Sequence, residues 1–327
     1  MLHNSATPNA AMPIFNLHSI RDRAIKIYLK RFVNRPVQMN EDWLLDRDEL
    51  GSLSIRWPRR YQWEESSDWV AVLKYGFETN VDFRLTDDIP QQIDGTVLFD
   101  FAVDGSTRRV AINFSDYLEL DKRVKSESDL CFKMQFAREG YGAENIVPGG
   151  YVPDGRRLYR YLPELRRRRD ARYSRHDVFG RFSTNYAREI REKATSILTG
   201  QDAFDFAGGM SKVDYRTFLN EAACSKICID MPGLGPFCFR LVNYLAIGSF
   251  IIAYPHAAQM HLPLVDRQHI VYCNADMSDL KELCEYYLAH DDEREMIARN
   301  AREYFDRCLH KDNLTNYYLR TCLDRLS

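Results

Sequence analysis

The stretch MPGLGPFCFRLVNYLAIGSFIIAYP, residues 231–255, decides how the chain is read. A Pro/Gly loop leads into an apolar helix carrying one arginine, Arg240, in its first turn, and an apolar strand follows at once. The residues just before the loop, KICIDM, are short and apolar, the pattern of a strand buried on both faces. Strand, loop, helix and strand in that order imply a right-handed crossover and a parallel sheet. A guanidinium in so apolar a helix is costly unless an anion lies opposite it. The stretch therefore asks which anion that is.

The same alternation runs outward from about Asp177 to the C-terminus. HDVFGRF reads as a strand and glycine turn, and STNYAREIREKATSIL as a helix capped by Ser183 or Thr184. VDYRTFLNEAACS is an amphipathic helix, HIVYCN a strand, and MSDLKELCEYYLAH a helix capped by Ser278 or Asp276. DDEREMIARNAREYFDRCLH is a further helix with an acidic first turn, and LTNYYLRTCLDRL closes the chain. The second half is Rossmann-like. The first half is less regular: DWVAVLKYG (68–76), VDFRL (81–85), TVLFDFAV (96–103), RVAINFS (109–115) and LCFKMQFA (130–137) read as strands, with turns such as IDGT and VDGST between them.

With 327 residues, 45% of them hydrophobic, the chain can fill two cores. A net charge of −2 demands neither nucleic acid nor an anionic membrane. Arginine is concentrated, however, with ten between 156 and 181. That aromatic-interleaved run suits phosphates and bases, or it is a linker helix whose arginines pair with carboxylates elsewhere; the near-neutral balance favours the linker. The eight cysteines form no C-x-x-C pair and read as reduced, buried thiols. The most apolar run, 245–254, is far shorter than the ~20 residues of a membrane span. Residues 19–32 read as a basic amphipathic helix and not as part of a secretory signal. A cytoplasmic protein is expected, with at most peripheral membrane contact.

In open α/β sheets, ligands sit beyond the carboxyl ends of the strands, where helix N-termini present amides. Two such places stand out: Gly180 and Arg181 followed by Ser183 and Thr184, and the loop PGLGPFCFR. Gly233 and Gly235 would let backbone approach a ligand, and Arg240 would reach a phosphate with its planar fork, the alternative being a structural salt bridge. No G-x-G-x-x-G or G-K-[ST] pattern is present, so neither a dinucleotide nor a P-loop site is supported. DAFD (202–205) and TDD (86–88) lack the spacing of a D-x-D metal motif, and the histidines show no H-x-x-x-H, so no metal and no cofactor are expected. His256, after a strand end, is placed to touch a ligand. A two-lobed α/β chain with a phosphate site in its second lobe suggests a sugar-nucleotide glycosyltransferase of the GT-B kind.

Four segments carry a family resemblance. PFCFRLVNYLAIGS is similar to the nucleotide-site helix of the family of KDEL-motif protein O-glucosyltransferases, capsule-associated xylosyltransferases and lipopolysaccharide-A-type transferases, with Arg240 on the family's arginine. PLVDRQHIVYCNADMSDLKEL resembles its cap and helix, and DVFGRFSTNYARE its F-R-G-x-x-T-x-x-R-like turn, with the order here Gly180-Arg181. FRLTDDIPQ (83–91) resembles its R-D-x-P-Q strand end, with Asp87 in place of the arginine and Asp88 on the aspartate taken as catalytic base. Spore-protein-type GT-B transferases carry a similar helix. The resemblance implies a GT-B-like fold, two Rossmann-like domains facing a central cleft: an acceptor-side domain over 1–172 and a nucleotide-sugar domain over 173–327, with the last helix packing back on the first.

It further implies metal-independent, inverting transfer of xylose, glucose or galactose from a UDP-sugar to a hydroxyl on a glycan, lipopolysaccharide or protein. Asp88 would be the base, with Asp100 or Asp116 at the next strand ends as the alternatives, and Arg240, Arg181, Gly180, Ser183, Gly233, Gly235, Phe237, Phe239 and His256 would bind the donor. The absence of a signal peptide and a retention tail implies a cytosolic relative of bacterial or viral type. The rival from another class is a non-catalytic nucleic-acid- or glycan-binding protein using the arginines of 156–181.

Overall fold

The computed structural model describes Ile27 and residues 37–64, 68–150 and 157–327. The helix expected over 19–32 lies, Ile27 apart, outside these residues, as does Arg156. Two sheets organise the rest. The first holds β1 (Leu53–Pro58), β2 (Asp82–Thr86), β3 (Thr96–Val103), β4 (Ser106–Asn113), β5 (Leu130–Lys133) and, beyond the short β6 (Phe136–Ala137), β7 (Ile146–Pro148). Its order is β2-β1-β3-β4-β5-β7. Only β3 runs against its neighbours, pairing antiparallel with β1 and β4 while the other pairs are parallel. The reversal comes from the Asp104-Gly105 turn, both residues at positive φ, the conformation a two-residue hairpin needs.

The second sheet holds β8 (His176–Arg181), β9 (Phe206–Gly209), β10 (Ser225–Asp230), β11 (Phe250–Ala253) and, after the short β12 (Ala258–Gln259), β13 (Val271–Tyr272). Its order is β13-β11-β10-β8-β9, parallel throughout. The chain leaves β8 for β9 on one side and returns to β10 on the other. That reversal of winding opens a crevice at the carboxyl ends of β8 and β10, where doubly wound sheets bind their ligands.

Ten helices surround the sheets among the described residues: α1 (Arg47–Ser52), α2 (Asp68–Asn80), α3 (Lys122–Glu127), α4 (Arg157–Asp170), α5 (Arg188–Thr199), α6 (Tyr215–Ala223), α7 (Phe239–Ile247), α8 (Leu280–Ala289), α9 (Asp291–Tyr304) and α10 (Lys311–Leu326). The segment DWVAVLKYG, expected as a strand, is helix α2. Trp69, Val70, Leu73 and Phe77 fall on one buried face at helical spacing, which a short apolar run does not distinguish from a strand. LCFKMQFA divides in two, because β6 leaves the first sheet to pair antiparallel with β12 of the second half. The helix caps also differ from expectation. Ala187, in the left-handed region, precedes α5 without a side-chain capping bond, while the Ser183 hydroxyl accepts from Asn185 N–H. Asp279 precedes α8, and Asp276 accepts instead from Ser278 N–H.

The two halves exchange helices. The last helix, α10, lies on the first half, where Tyr318 stacks on Phe132 with ring centroids 4.1 Å apart. Helix α4 falls within the first domain as drawn from sequence, yet it packs on the second. Arg166 donates to the Ala246 carbonyl at 2.8 Å and pairs with Asp306 at 2.7 Å. Buried Arg169 donates to the Gly248 carbonyl at 3.1 Å and pairs with Glu295 at 2.9 Å. Both cations sit at the C-terminus of α7, the negative end of its dipole. Arg167 and Arg168 pair with Glu164 of their own helix.

Candidate functional site in the cleft between the sheets

The carboxyl ends of the two sheets meet across a cleft of about 450 Å³, within the range of small-molecule sites. The segment 116–119, after β4, forms one wall. The glycine loop 232–236, the start of α5 and Tyr254 with Pro255 form the other. The first-turn amides of α5 have no side-chain cap, so this helix offers an anion the positive end of its dipole.

Gly235 is where the walls touch. A Cβ there would lie 2.3 Å from the Asp116 carbonyl oxygen and 2.8 Å from the Gln135 side chain. A Cβ on Gly233 would meet the Cys238 sulfur at 2.7 Å, and its N–H closes the turn onto the Gly235 carbonyl at 3.0 Å. Gly235→Ala should therefore cost about 1–3 kcal/mol, the usual range for overpacking. Gly233→Ala should cost less, because a side chain yields more readily than a peptide; urea unfolding of the two variants makes the comparison. Beside this contact, buried Gln135 grips the main chain of Phe237 at both ends. Its amide donates to the Phe237 carbonyl at 3.0 Å, and its oxygen accepts from the Phe237 N–H at 3.1 Å.

Below the wall lies Lys133, fully buried at the end of β5. Its Nζ donates to the carbonyls of Ser115, at 3.2 Å, and Tyr117, the two residues flanking Asp116. Burial pulls the Lys133 pKa down to about 8. Burial pushes the Asp116 carboxyl up from its ordinary value, while a Gln135 hydrogen bond and the Lys133 charge pull it back. Lys133 and Gln135 were missed as site residues in the sequence, where Asp116 stood only as a strand-end alternative to Asp88. The available signal was two polar residues at alternate positions of the otherwise apolar LCFKMQFA.

The residues expected to bind a donor are distributed differently. Arg240 faces inward. Its Nε donates to Asp230 at 2.9 Å, its other nitrogens to the carbonyls of Arg181, at 3.4 Å, and Met231, and its guanidinium lies 5.0 Å from the Phe182 ring centroid. Burial would lower its pKa, but the Asp230 carboxylate outweighs this and holds it above the ordinary value. Arg181 pairs bidentately with Glu221 at 2.8 and 2.9 Å. Gly180 lies within β8, its Cα against Phe182 and Ile229. Ser183 holds the turn before α5 and accepts at its carbonyl from Arg191. Phe237 is buried behind the glycine loop, and Phe239 packs on the core. His256 is buried between Tyr272, whose hydroxyl is 3.1 Å from Nδ1, and Asp230, whose Oδ2 is 3.7 Å from Nε2.

Asp88 lies outside the cleft. It is exposed at the end of the edge strand β2, bonded to Arg56 at 2.8 Å and to the Thr86 hydroxyl at 2.9 Å. Three strand spacings separate β2 from β4, about 14 Å at ~4.8 Å each.

Residues 164–315 match a family described as glycosyl transferase-like. No curated protein matches the chain. Among solved structures, a glycosyltransferase from Rickettsia africae is similar at 13% identity and a TM-score of 0.45, over 100% of this chain and 86% of that one. A sucrose-phosphate synthase from Thermosynechococcus elongatus is similar at 12% identity and a TM-score of 0.39, over 98% and 80%. The UDP complex of MnaA from S. aureus is similar at 9% and 0.35, over 97% and 83%. Among the described residues, no group of three or more His, Cys, Asp or Glu is placed to hold a metal ion, and no helix is long and apolar enough to cross a membrane.

Proposed function

We propose that the chain transfers a sugar, xylose, glucose or galactose, from a UDP-sugar to an acceptor hydroxyl, with inversion and without a metal ion. The observation that carries this reading is the cleft itself. In it, a glycine loop and an uncapped helix N-terminus from the glycosyl transferase-like segment face a carboxylate-bearing wall of the first half. The diphosphate of the donor is seated over the first-turn amides of α5, whose fixed dipoles stabilise the charge that develops as it departs. Arg240 then supports the site from behind, joining the ends of β8 and β10. The acceptor is a hydroxyl on a glycan, lipopolysaccharide or protein. The rival reading, nucleic-acid or glycan binding by the arginine run, is disfavoured because Arg166, Arg167, Arg168, Arg169 and Arg181 are ion-paired within the fold.

Thermal unfolding with UDP, GDP, CMP or an oligonucleotide, all in EDTA, tests the reading. UDP at about 100 times its dissociation constant should stabilise the folded chain by about 2.7 kcal/mol. Stabilisation only when manganese or magnesium is added, or only by the oligonucleotide, would sink it.

A further inference from the structure

Resting on the donor site proposed above, we infer that Asp116, and not Asp88, is the general base that takes the proton from the acceptor hydroxyl. Asp116 lines the cleft directly across from the glycine loop, and its own carbonyl abuts Gly235. Its backbone is held from both sides by the buried Lys133 ammonium, bonded to the carbonyls of residues 115 and 117. The loop it faces is held by Gln135 through both peptide groups of Phe237. Base and donor loop are thus fixed relative to each other by adjoining side chains of one strand end, the kind of rigid placement proton transfer requires.

The other carboxylates are placed less well. Asp88 is exposed and ion-paired with Arg56, just past the end of an edge strand and outside the cleft. Asp100 is clamped between Arg56 at 3.4 Å and Arg109 at 2.7 Å. Glu119 lines the same wall but is exposed. Burial of Asp116 lifts its proton affinity above that of an ordinary carboxylate, which makes it a stronger base near neutral pH. In the step, an Asp116 oxygen accepts the acceptor proton while the acceptor oxygen bonds to the anomeric carbon. The bond from that carbon to the diphosphate oxygen breaks, and its electron pair leaves with UDP. No electrons change hands otherwise, and the proton passes from Asp116 to solvent.

The experiment measures UDP release from UDP-glucose, UDP-galactose and UDP-xylose by the full chain, with water or glycerol as acceptor, alongside UDP affinity. Asp116→Asn should lower release by about 10²–10⁴-fold with UDP affinity kept within about threefold, and Asp88→Asn should change release less than about threefold. Wild-type release should fall as pH drops through a pKa above the usual 3.8 for an aspartate, a limb missing from the Asp116→Asn residual rate. A carboxyl whose folded pKa is raised is stabilising only when protonated, so at neutral pH its charge is a cost. Asp116→Asn should therefore melt no lower than wild type, and Asp116→Ala serves if it does. Release retained by both Asp116 variants, a larger loss in Asp88→Asn or Glu119→Gln, or UDP binding without any release overturns the assignment. Failure of wild type to bind UDP instead overturns the donor reading beneath it.

Discussion

Replacing Arg240 with alanine is expected to destabilise the folded chain by about 3–5 kcal/mol with no nucleotide present, the cost of orphaning a buried charge. The partner left behind, Asp230, has a side chain only 1% exposed. One of its oxygens already has no hydrogen-bond partner among the described residues, and the nearest other cation source, His256 Nε2, is 3.7 Å away. The loss should appear in urea as a lower midpoint at unchanged slope. A paired replacement, Arg240→Met with Asp230→Leu, should recover much of it, because an apolar pair of similar volume needs no compensation. A stable Arg240→Ala variant that merely loses UDP affinity would show that the guanidinium serves the ligand after all.

Gln135→Leu should also destabilise the chain. It removes the side-chain amide that bonds both the N–H and the carbonyl of buried Phe237, and each such hydrogen bond contributes about 0.5–1.5 kcal/mol. The expected loss is about 1–3 kcal/mol, together with weaker UDP binding, because the glycine loop then loses this tie to the first half. Gln135→Glu retains an acceptor for the N–H but sets a carboxylate against the carbonyl, so it should recover only part of the loss. Unfolding in urea and UDP titration of the three proteins measure both effects. Unchanged nucleotide affinity in a folded Gln135→Leu would mean that the loop holds its shape unaided.

The second half was legible because its information is local. Apolar runs of strand length alternate with segments of helical period, so KICIDM, the helix Phe239–Ile247 and FIIA could be placed without knowing their partners. The first half misled where a short apolar run fits either period, as in DWVAVLKYG, or where one run serves two sheets, as in LCFKMQFA. Side-chain partners were the larger gap, since they depend on residues far apart in sequence. Lys133 acts through residues 16 and 18 positions away, and Gln135 reaches Phe237 across 102. Asp88 was singled out by motif, yet the order of strands puts it at an edge and Asp116 in the cleft. The sequence alone required an anion opposite Arg240, because an unpaired guanidinium in an apolar helix is too costly. Only the tertiary structure decided that the anion is the chain's own Asp230, ten residues earlier at the end of KICIDM, where the parallel sheet turns strand and helix face to face.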